Sequence, residues 1–336
     1  MTLPPIIATT VGDPAGIGPE VAVAAALLPE VRAVCRPMLV GDRAALGPTL
    51  ATMPDAPPVF FARTAEEAVA ALAEQALVAW APGRLAEPVP FGAPTREGGA
   101  AGHGYVMDAL AGWRAGWWRA VCTAPISKEG WALAGFRDPG HTELFAREAG
   151  ARRHAMMLTG ERITVALATI HQPLATVPAS LTVEGILDVV ELLREALLAL
   201  RGREPKLALL GLNPHAGEAG LLGREEIETI IPAAEAARAR GYDVEGPLPP
   251  DTAFTQRALL RYDGHVCMYH DQGLIPFKLL AFEDGVNTTL GLPGLVRTSP
   301  DHGTAYGLAG KRSAEASSMA AALKLAARLT ACPEAA

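Results

Sequence analysis

Three histidines share one sequence context. His171 closes ITVALATIH, His215 follows LALLGLNP and His270 closes HVCMYH, so each comes at the C-terminal end of an apolar run that reads as a strand. Open parallel α/β sheets bind ligands at that edge, because loops leaving neighbouring strands converge on one crevice. Neutral imidazoles gathered there suit Zn, Ni, Co or Fe, and three protein ligands leave positions open for water or substrate. The residues that follow, Gln172-Pro173, Ala216-Gly217 and Asp271-Gln272-Gly273, are breakers or polar groups that place the imidazoles in turns. A single histidine of this kind is more often a hydrogen-bonded structural residue; the shared placement favours a metal site for the set. His103, His154 and His265 lack the strand-end context and are read as surface or structural residues.

A second group of residues suits an anion. His141 and Thr142 in RDPGHTELF stand where a helix begins, and a helix N-terminus favours phosphate or carboxylate, although a plain cap would use the same residues. Lys278, Asn287 and Arg297 offer a cation, an amide and a bidentate fork, against the alternative of a solvated face. The first strand runs into GDPAGIGPE, whose glycines permit tight turns and whose amides would be open to an anion. It lacks the GxGxxG spacing and the acidic residue of an ordinary Rossmann half, and turn and ligand loop remain equally open. In SPDHGTA, Asp301, His302 and Thr304 are candidates to meet a cofactor.

The elements that must position these residues alternate. IIATTV, PMLVGD, AVCTAP, ITVALATI, KLALLGL and HVCMYH read as strands, and PEVAVAAALL, a stretch from near Arg224 and long stretches from about Ala65, Thr182 and Ser313 read as helices. That alternation predicts an α/β fold with a mainly parallel sheet. Thr182 is an N-cap with Glu184 in its first turn, Gly241 stops the helix that ends near Arg240, and Pro232 predicts a kink within it. The stretch from Ala81 to Gly104, rich in Pro and Gly, reads as a long loop or arm.

Composition sets outer limits. Half of the 336 residues are hydrophobic and 19% are charged, which excludes a largely disordered chain; the length allows one large or two medium domains. A net charge of −7 without a clustered basic face argues against a nucleic-acid surface. No apolar run is long enough to span a membrane and no leader is evident, so a cytoplasmic location is expected. Cys35, Cys122, Cys267 and Cys332 form no CxxC pair and read as buried apolar side chains.

With these segments assembled, the chain resembles the PdxA family of 4-hydroxythreonine-4-phosphate dehydrogenases. The matching stretches are GDPAGIGPE, GHTELF, MMLTGERITVALATIHQPL, GLNPHAGEAGLLGREEIETIIP, GPLPPDTAF, MYHDQGLIPFK, GVNTTLGLP and RTSPDHGTA, which together span nearly the whole chain. GDPAGIGPE and DHGTA also resemble segments of isocitrate and isopropylmalate dehydrogenases. The resemblance implies that two-lobed, non-Rossmann α/β fold, with residues 1–130 plus 300–336 in one lobe and 131–299, carrying the metal ligands and most substrate residues, in the other.

It further implies that His171, His215 and His270 bind one divalent cation (Zn, with Mg, Co, Ni or Mn as alternatives) across a homodimer interface. His141, Thr142, Lys278, Asn287 and Arg297 match substrate-binding positions, and Asp251 in PPDTAF a polar position beside them. Lys128 and Asp251 are the candidate proton-shuttling groups. The implied reaction is NAD- or NADP-linked oxidation and decarboxylation of 4-phosphohydroxy-L-threonine to 3-amino-2-oxopropyl phosphate. TAPISKEG, RDPGHTE and GLPGLVRTS depart from the family pattern close to the substrate. The same chemistry on threonate or erythronate 4-phosphate, or on a terephthalate dihydrodiol, is therefore a rival. A metal-dependent hydrolase and a non-catalytic binding protein are the alternatives from other classes.

Overall fold

The protein is described here by a computed structural model covering residues 3–331. Cys332 lies outside the described residues. The chain divides into two compact units, residues 3–150 with 293–331 and residues 151–292. The division falls later than 130 and earlier than 299, so His141, Thr142 and Arg297 belong to the first unit.

The first unit is built on six parallel strands in the order β3-β4-β2-β1-β5-β12, where β1 is Ile6–Thr10, β2 Arg36–Val40, β3 Val59–Ala62, β4 Leu77–Trp80, β5 Ala120–Thr123 and β12 Val296–Pro300. Its inner strands are largely apolar and buried, with Ile7, Ala8, Leu39 and Val121 fully buried and the hydroxyls of Thr9, Thr10 and Thr123 enclosed with them. The expected loop from Ala81 to Gly104 ends early. Residues Arg96–Arg114 form a helix, capped by Thr95, whose side chain accepts from the Gly98 amide. Glycine is a poor helix former, yet Gly99 is required by packing: a Cβ there would sit 2.0 Å from the Gly130 carbonyl oxygen. Close approach of two segments outweighs propensity here.

The second unit carries β6 (Ala155–Thr159), β7 (Thr164–Leu167), β8 (Leu207–Leu210), β9 (Val244–Leu248), β10 (Gly264–Cys267) and β11 (Val286–Leu290) in the order β11-β6-β7-β10-β8-β9. β6 pairs antiparallel with β11 and β7, while β7, β10, β8 and β9 run parallel. The helix Val183–Arg201 begins at its Thr182 cap and ends at Gly202 in the left-handed region. Its Ile186, Val190, Leu193 and Leu197 recur at helical spacing and pack with Met157, Leu209 and Val266. On the other face Leu158, Val165, Leu210 and Phe277 form a second core.

Other expectations change in detail. The helix at Ala65 is only Ala65–Ala71, and the C-terminal one runs Ser317–Thr330. The kink expected at Pro232 takes the form of a π-helical turn, Glu226–Ile230, leading into the helix Ile231–Ala239; a proline has no N–H for the regular ladder. Gly241, with φ +84°, follows that helix as expected. Among the described residues no helix is long and apolar enough to cross a membrane. Cys35, Cys122 and Cys267 are buried free thiols, with burial pushing Cys35 and Cys122 up to about 12.

Candidate functional site

In the first unit, adjacent parallel strands bring two polar side chains together. β5 ends in Thr123, and β12 places Arg297 opposite Val121 in the register. Arg297 is 2% exposed, and its Nη2 donates to Thr123 Oγ1 at 2.8 Å while the guanidinium lies 5.7 Å from the Phe145 ring centre. Burial pushes its pKa down to about 10, which leaves it cationic at neutral pH.

His141 opens the helix His141–Ala149, with buried Thr142 next to it. Its ring meets Trp131 edge-on at 5.6 Å, and its Nδ1 is 3.5 Å from Thr123 Oγ1. Burial, and then the charges of Arg297, His103 and Lys128, hold the imidazole well below its ordinary pKa, so it is neutral. The Thr123 hydroxyl accepts from Arg297 and can either donate to Nδ1 or accept from it; we assign the tautomer in which it donates to Nδ1. That leaves Nε2 as an N–H donor, and this buried atom has no hydrogen-bond partner among the described residues. A fixed cation, a neutral N–H and the first turn of a nine-residue helix form a receptor for a small anion. Lys128, exposed at the start of the helix Lys128–Leu133, adds positive charge; a Cβ on Gly140 would lie 3.7 Å from its Nζ.

The approach to His141 is held by His103, which stacks on Phe136 at 3.7 Å and bonds Asp138 through Nε2 at 3.2 Å; Arg147 also binds Asp138. His265, the other buried histidine, bonds the Ala253 carbonyl at 3.0 Å, and both are structural as expected.

The GDPAGIGPE loop is a packing turn rather than an open cradle. The amide of Asp13 donates to Pro125 O, Ala15 to Asp13 Oδ1, Gly16 to Asp13 O and Ile17 to Thr304 O, so these donors are engaged internally. Gly12 has φ +70°, and a Cβ on it would meet Pro125 O at 2.2 Å. Of the three residues expected at a cofactor, Thr304 locks this loop, Asp301 donates its amide to Ser318 Oγ at 3.2 Å, and His302 is exposed. Tyr306 completes the lock by donating to Asp13 Oδ2 at 2.7 Å.

In the second unit the three histidines leave one edge of three neighbouring parallel strands. The strands stop short of them: His171, His215 and His270 lie four, five and three residues beyond β7, β8 and β10. His171 and His270 have ring centres 5.8 Å apart and line a cavity of about 460 Å³ with Tyr269, Gln172 and Asp271. His270 Nδ1 bonds Asp271 Oδ1 at 2.6 Å, which leaves Nε2 as the lone-pair atom, the arrangement of a metal-ligating imidazole. His215 does not join them: among the described residues no group of three His, Cys, Asp or Glu is close enough to hold a metal ion. It is exposed on a turn whose residues 215–219 all have positive φ. Such backbone costs about 1–2 kcal/mol per non-glycine residue, so the surroundings must enforce it. The donor set fits a divalent cation as a pair of ligands within one chain, with the third imidazole on a neighbouring loop.

Asp251 is exposed in the turn after β9, apart from the residues lining that cavity. Lys278 lies on the helix His270–Leu280 with its Nζ 5.6 Å from the Phe282 ring centre. Asn287 faces Leu158 in the β11–β6 register, and its Oδ1 is buried without a hydrogen-bond partner among the described residues. Thr123 was not anticipated; a lone hydroxyl closing the apolar strand AVCT was its only signal.

A mainly parallel α/β scaffold with a buried guanidinium and imidazole in one unit and an imidazole-lined strand edge in the other has the chemistry to take a small anion. The chain belongs to the PdxA family: the model of the pyridoxal phosphate biosynthetic protein PdxA matches residues 33–326. A 4-hydroxythreonine-4-phosphate dehydrogenase from Desulfosudis oleivorans is 46% identical over 330 residues, covering 98% of this chain and 97% of the relative. The crystal structure of a 4-hydroxythreonine-4-phosphate dehydrogenase from Burkholderia phymatum superposes with a TM-score of 0.81 at 36% identity, covering 97% of this chain and 98% of that one. A terephthalate 1,2-cis-dihydrodiol dehydrogenase from Burkholderia xenovorans gives 0.66 at 29% identity, over 96% and 98%.

Proposed function

We propose that this chain is a 4-hydroxythreonine-4-phosphate dehydrogenase, an oxidoreductase that oxidises and decarboxylates 4-phosphohydroxy-L-threonine to 3-amino-2-oxopropyl phosphate in the cytoplasm. The observation that carries this reading is the buried receptor of Arg297, Thr123 and His141, in a chain matched nearly end to end by dehydrogenases so named. When bound, NAD or NADP supplies the hydride acceptor and a divalent cation, Zn by preference, supplies positive charge at the reacting oxygen.

The chain's own residues bind and orient. Arg297 holds the phosphate by charge, neutral His141 donates through Nε2, and Thr142 and the first-turn amides complete the grip. Keeping His141 neutral serves this role, since its N–H is available without a second buried charge. Lys128 reinforces the anion's field. Lys278 and Asn287 keep the substrate-binding assignment of the resemblance, and Asp301, His302 and Thr304 the cofactor one. Asp251 is the preferred proton carrier, because Lys128 already has a use as a cation.

His171 and His270 would hold the cation, with His215 completing the set across a homodimer. The exposed apolar side chains beside these segments support a second copy there: Leu174, Leu221, Ile275, Leu279 and Phe282 are 64%, 82%, 68%, 84% and 77% exposed.

Steady-state assays following reduced nicotinamide, with each substrate and with NAD and NADP, test the reading. Phosphohydroxythreonine should turn over fastest. Faster turnover of threonate or erythronate 4-phosphate, or of the dihydrodiol, would replace the substrate and keep the chemistry; phosphate release without cofactor reduction would replace both.

A further inference from the structure

The three histidine-bearing loops are joined by buried side chains that the reaction itself does not call for. Gln272, 7% exposed, donates from Nε2 to Gly211 O and accepts the Met268 amide at Oε1, each at 2.7 Å. Thr169 Oγ1 donates to Met268 O at 2.7 Å. Glu226, 1% exposed, accepts the amides of Leu212 and Asn213 at Oε1, both at 2.8 Å, and Asn213 Nδ2 at Oε2 at 2.9 Å. The spacing is regular: Thr169, Met268 and Asn213 each stand two residues before a histidine, His171, His270 and His215.

Apart from the Asn213 side-chain amide, each contact meets a backbone group just beyond a strand end, where a polar group in the interior needs a partner. Glu226 opens the π-helical turn Glu226–Ile230 and lies against the left-handed stretch 215–219, where a Cβ on Gly217 would come within 2.6 Å of its Oε2. It thereby holds the strained turn that presents His215.

We propose that Gln272, Glu226 and Thr169 are positioning residues: Thr169 ties the His171 loop to the His270 loop, Gln272 ties the His270 loop to the His215 loop, Glu226 holds the His215 turn, and together they set the affinity of these histidines for a divalent cation. This rests on the reading of those histidines as ligands. A ligand set spread over three loops binds tightly only if the loops are fixed before the cation arrives, since the cost of ordering them otherwise comes out of the affinity. Gln272→Met keeps the volume and strands the Gly211 carbonyl and the Met268 amide. Thr169→Val removes a single contact.

The test is Zn²⁺ affinity of the purified full chain, measured by competition with a chromophoric chelator, together with the visible absorption of the Co²⁺ form. Gln272→Met and Glu226→Gln should weaken Zn²⁺ binding about 10- to 100-fold and alter the Co²⁺ spectrum. Thr169→Val should cost about 5-fold and serves if the others do not fold. Glu191→Gln, which breaks the Arg153–Glu191–Arg240 ion pairs elsewhere in the unit, is the control: it should lower the unfolding temperature and leave Zn²⁺ affinity unchanged. If His270→Ala abolishes binding while Gln272→Met and Glu226→Gln bind as tightly as Glu191→Gln, the positioning role is overturned and the ligand reading stands. If His171→Ala and His270→Ala both keep wild-type affinity, the ligand reading fails and takes this proposal with it.

Discussion

The anion receptor of the first unit and the imidazole edge of the second are built on opposite principles. Arg297, Thr123 and Thr142 are buried, and His141 is neutral and already oriented by a hydroxyl on the neighbouring strand. His171 and His215 are exposed, only two of the three imidazoles come together, and the flanking helix shows Ile275 and Leu279 to solvent. A receptor for one fixed group can be finished inside a single chain, where burial strengthens each contact. An edge that keeps strained backbone and bare apolar side chains differs from such a finished receptor, and in the function proposed above a cation and a second copy would complete it.

The largest effect should come from the unfinished half. Chelation of the holoenzyme should cut turnover about a thousandfold, roughly 4 kcal/mol, with recovery on adding Zn²⁺ back. Full activity after exhaustive chelation, with metal content verified, would end the metal reading. Next comes the finished half: Arg297→Ala should lower kcat/KM on the order of a hundredfold, about 3 kcal/mol. Arg297→Lys should recover little of it, because the fork that reaches Thr123 while facing an anion has no ammonium equivalent. A lysine variant with wild-type kcat/KM would show that charge alone suffices and that the preorganised geometry is incidental.

The contrast is sharpened by Leu279→Asp. Leu279 is 84% exposed, so the chain's own fold should tolerate the carboxylate, while an apolar interface should not. Sedimentation should show monomer in place of dimer, an unchanged unfolding onset for the isolated chain, and Zn²⁺ affinity down by about thirtyfold, roughly 2 kcal/mol. A dimer of unaltered affinity would mean that this face is left bare for another reason.

The two regions also differed in how far they could be read in advance. The three histidines were visible because parallel strands deliver their loops to one edge, a relation that survives errors of several residues in strand ends. His141 was visible through its helix start. Thr123, Gln272 and Glu226 were not, since a single polar residue acquires its role only from the neighbour that tertiary structure supplies. The helix Arg96–Arg114 was hidden for the same reason: its glycines argue against a helix until Gly130 is placed against Gly99. GDPAGIGPE stayed open between turn and ligand loop in the sequence, because glycines that admit a phosphate and glycines that admit another backbone look alike there.

The smallest expected effect probes the neutrality of His141. Its native pKa lies well below the ordinary 6.5, through burial first and then the charges of Arg297, His103 and Lys128. The unfolded chain therefore takes up a proton below about pH 6.5 that the folded chain refuses, and binding more protons in the unfolded state lowers stability as pH falls. This contribution is complete above pH 6.5 and is lost progressively beneath it. His103 and His265, also depressed by burial, act with the same sign and are unaffected by a change at position 141. His141→Gln can place an amide N–H near Nε2 and has no titration, so its unfolding temperature should fall less than that of wild type between pH 7.5 and pH 5. The gap should be a few degrees at most, since ~1 kcal/mol moves a domain of 150–250 residues by about 2–4 °C. A steeper fall in the variant would mean that His141 is protonated in the native state, and the neutral-donor account of the anion receptor would have to be withdrawn.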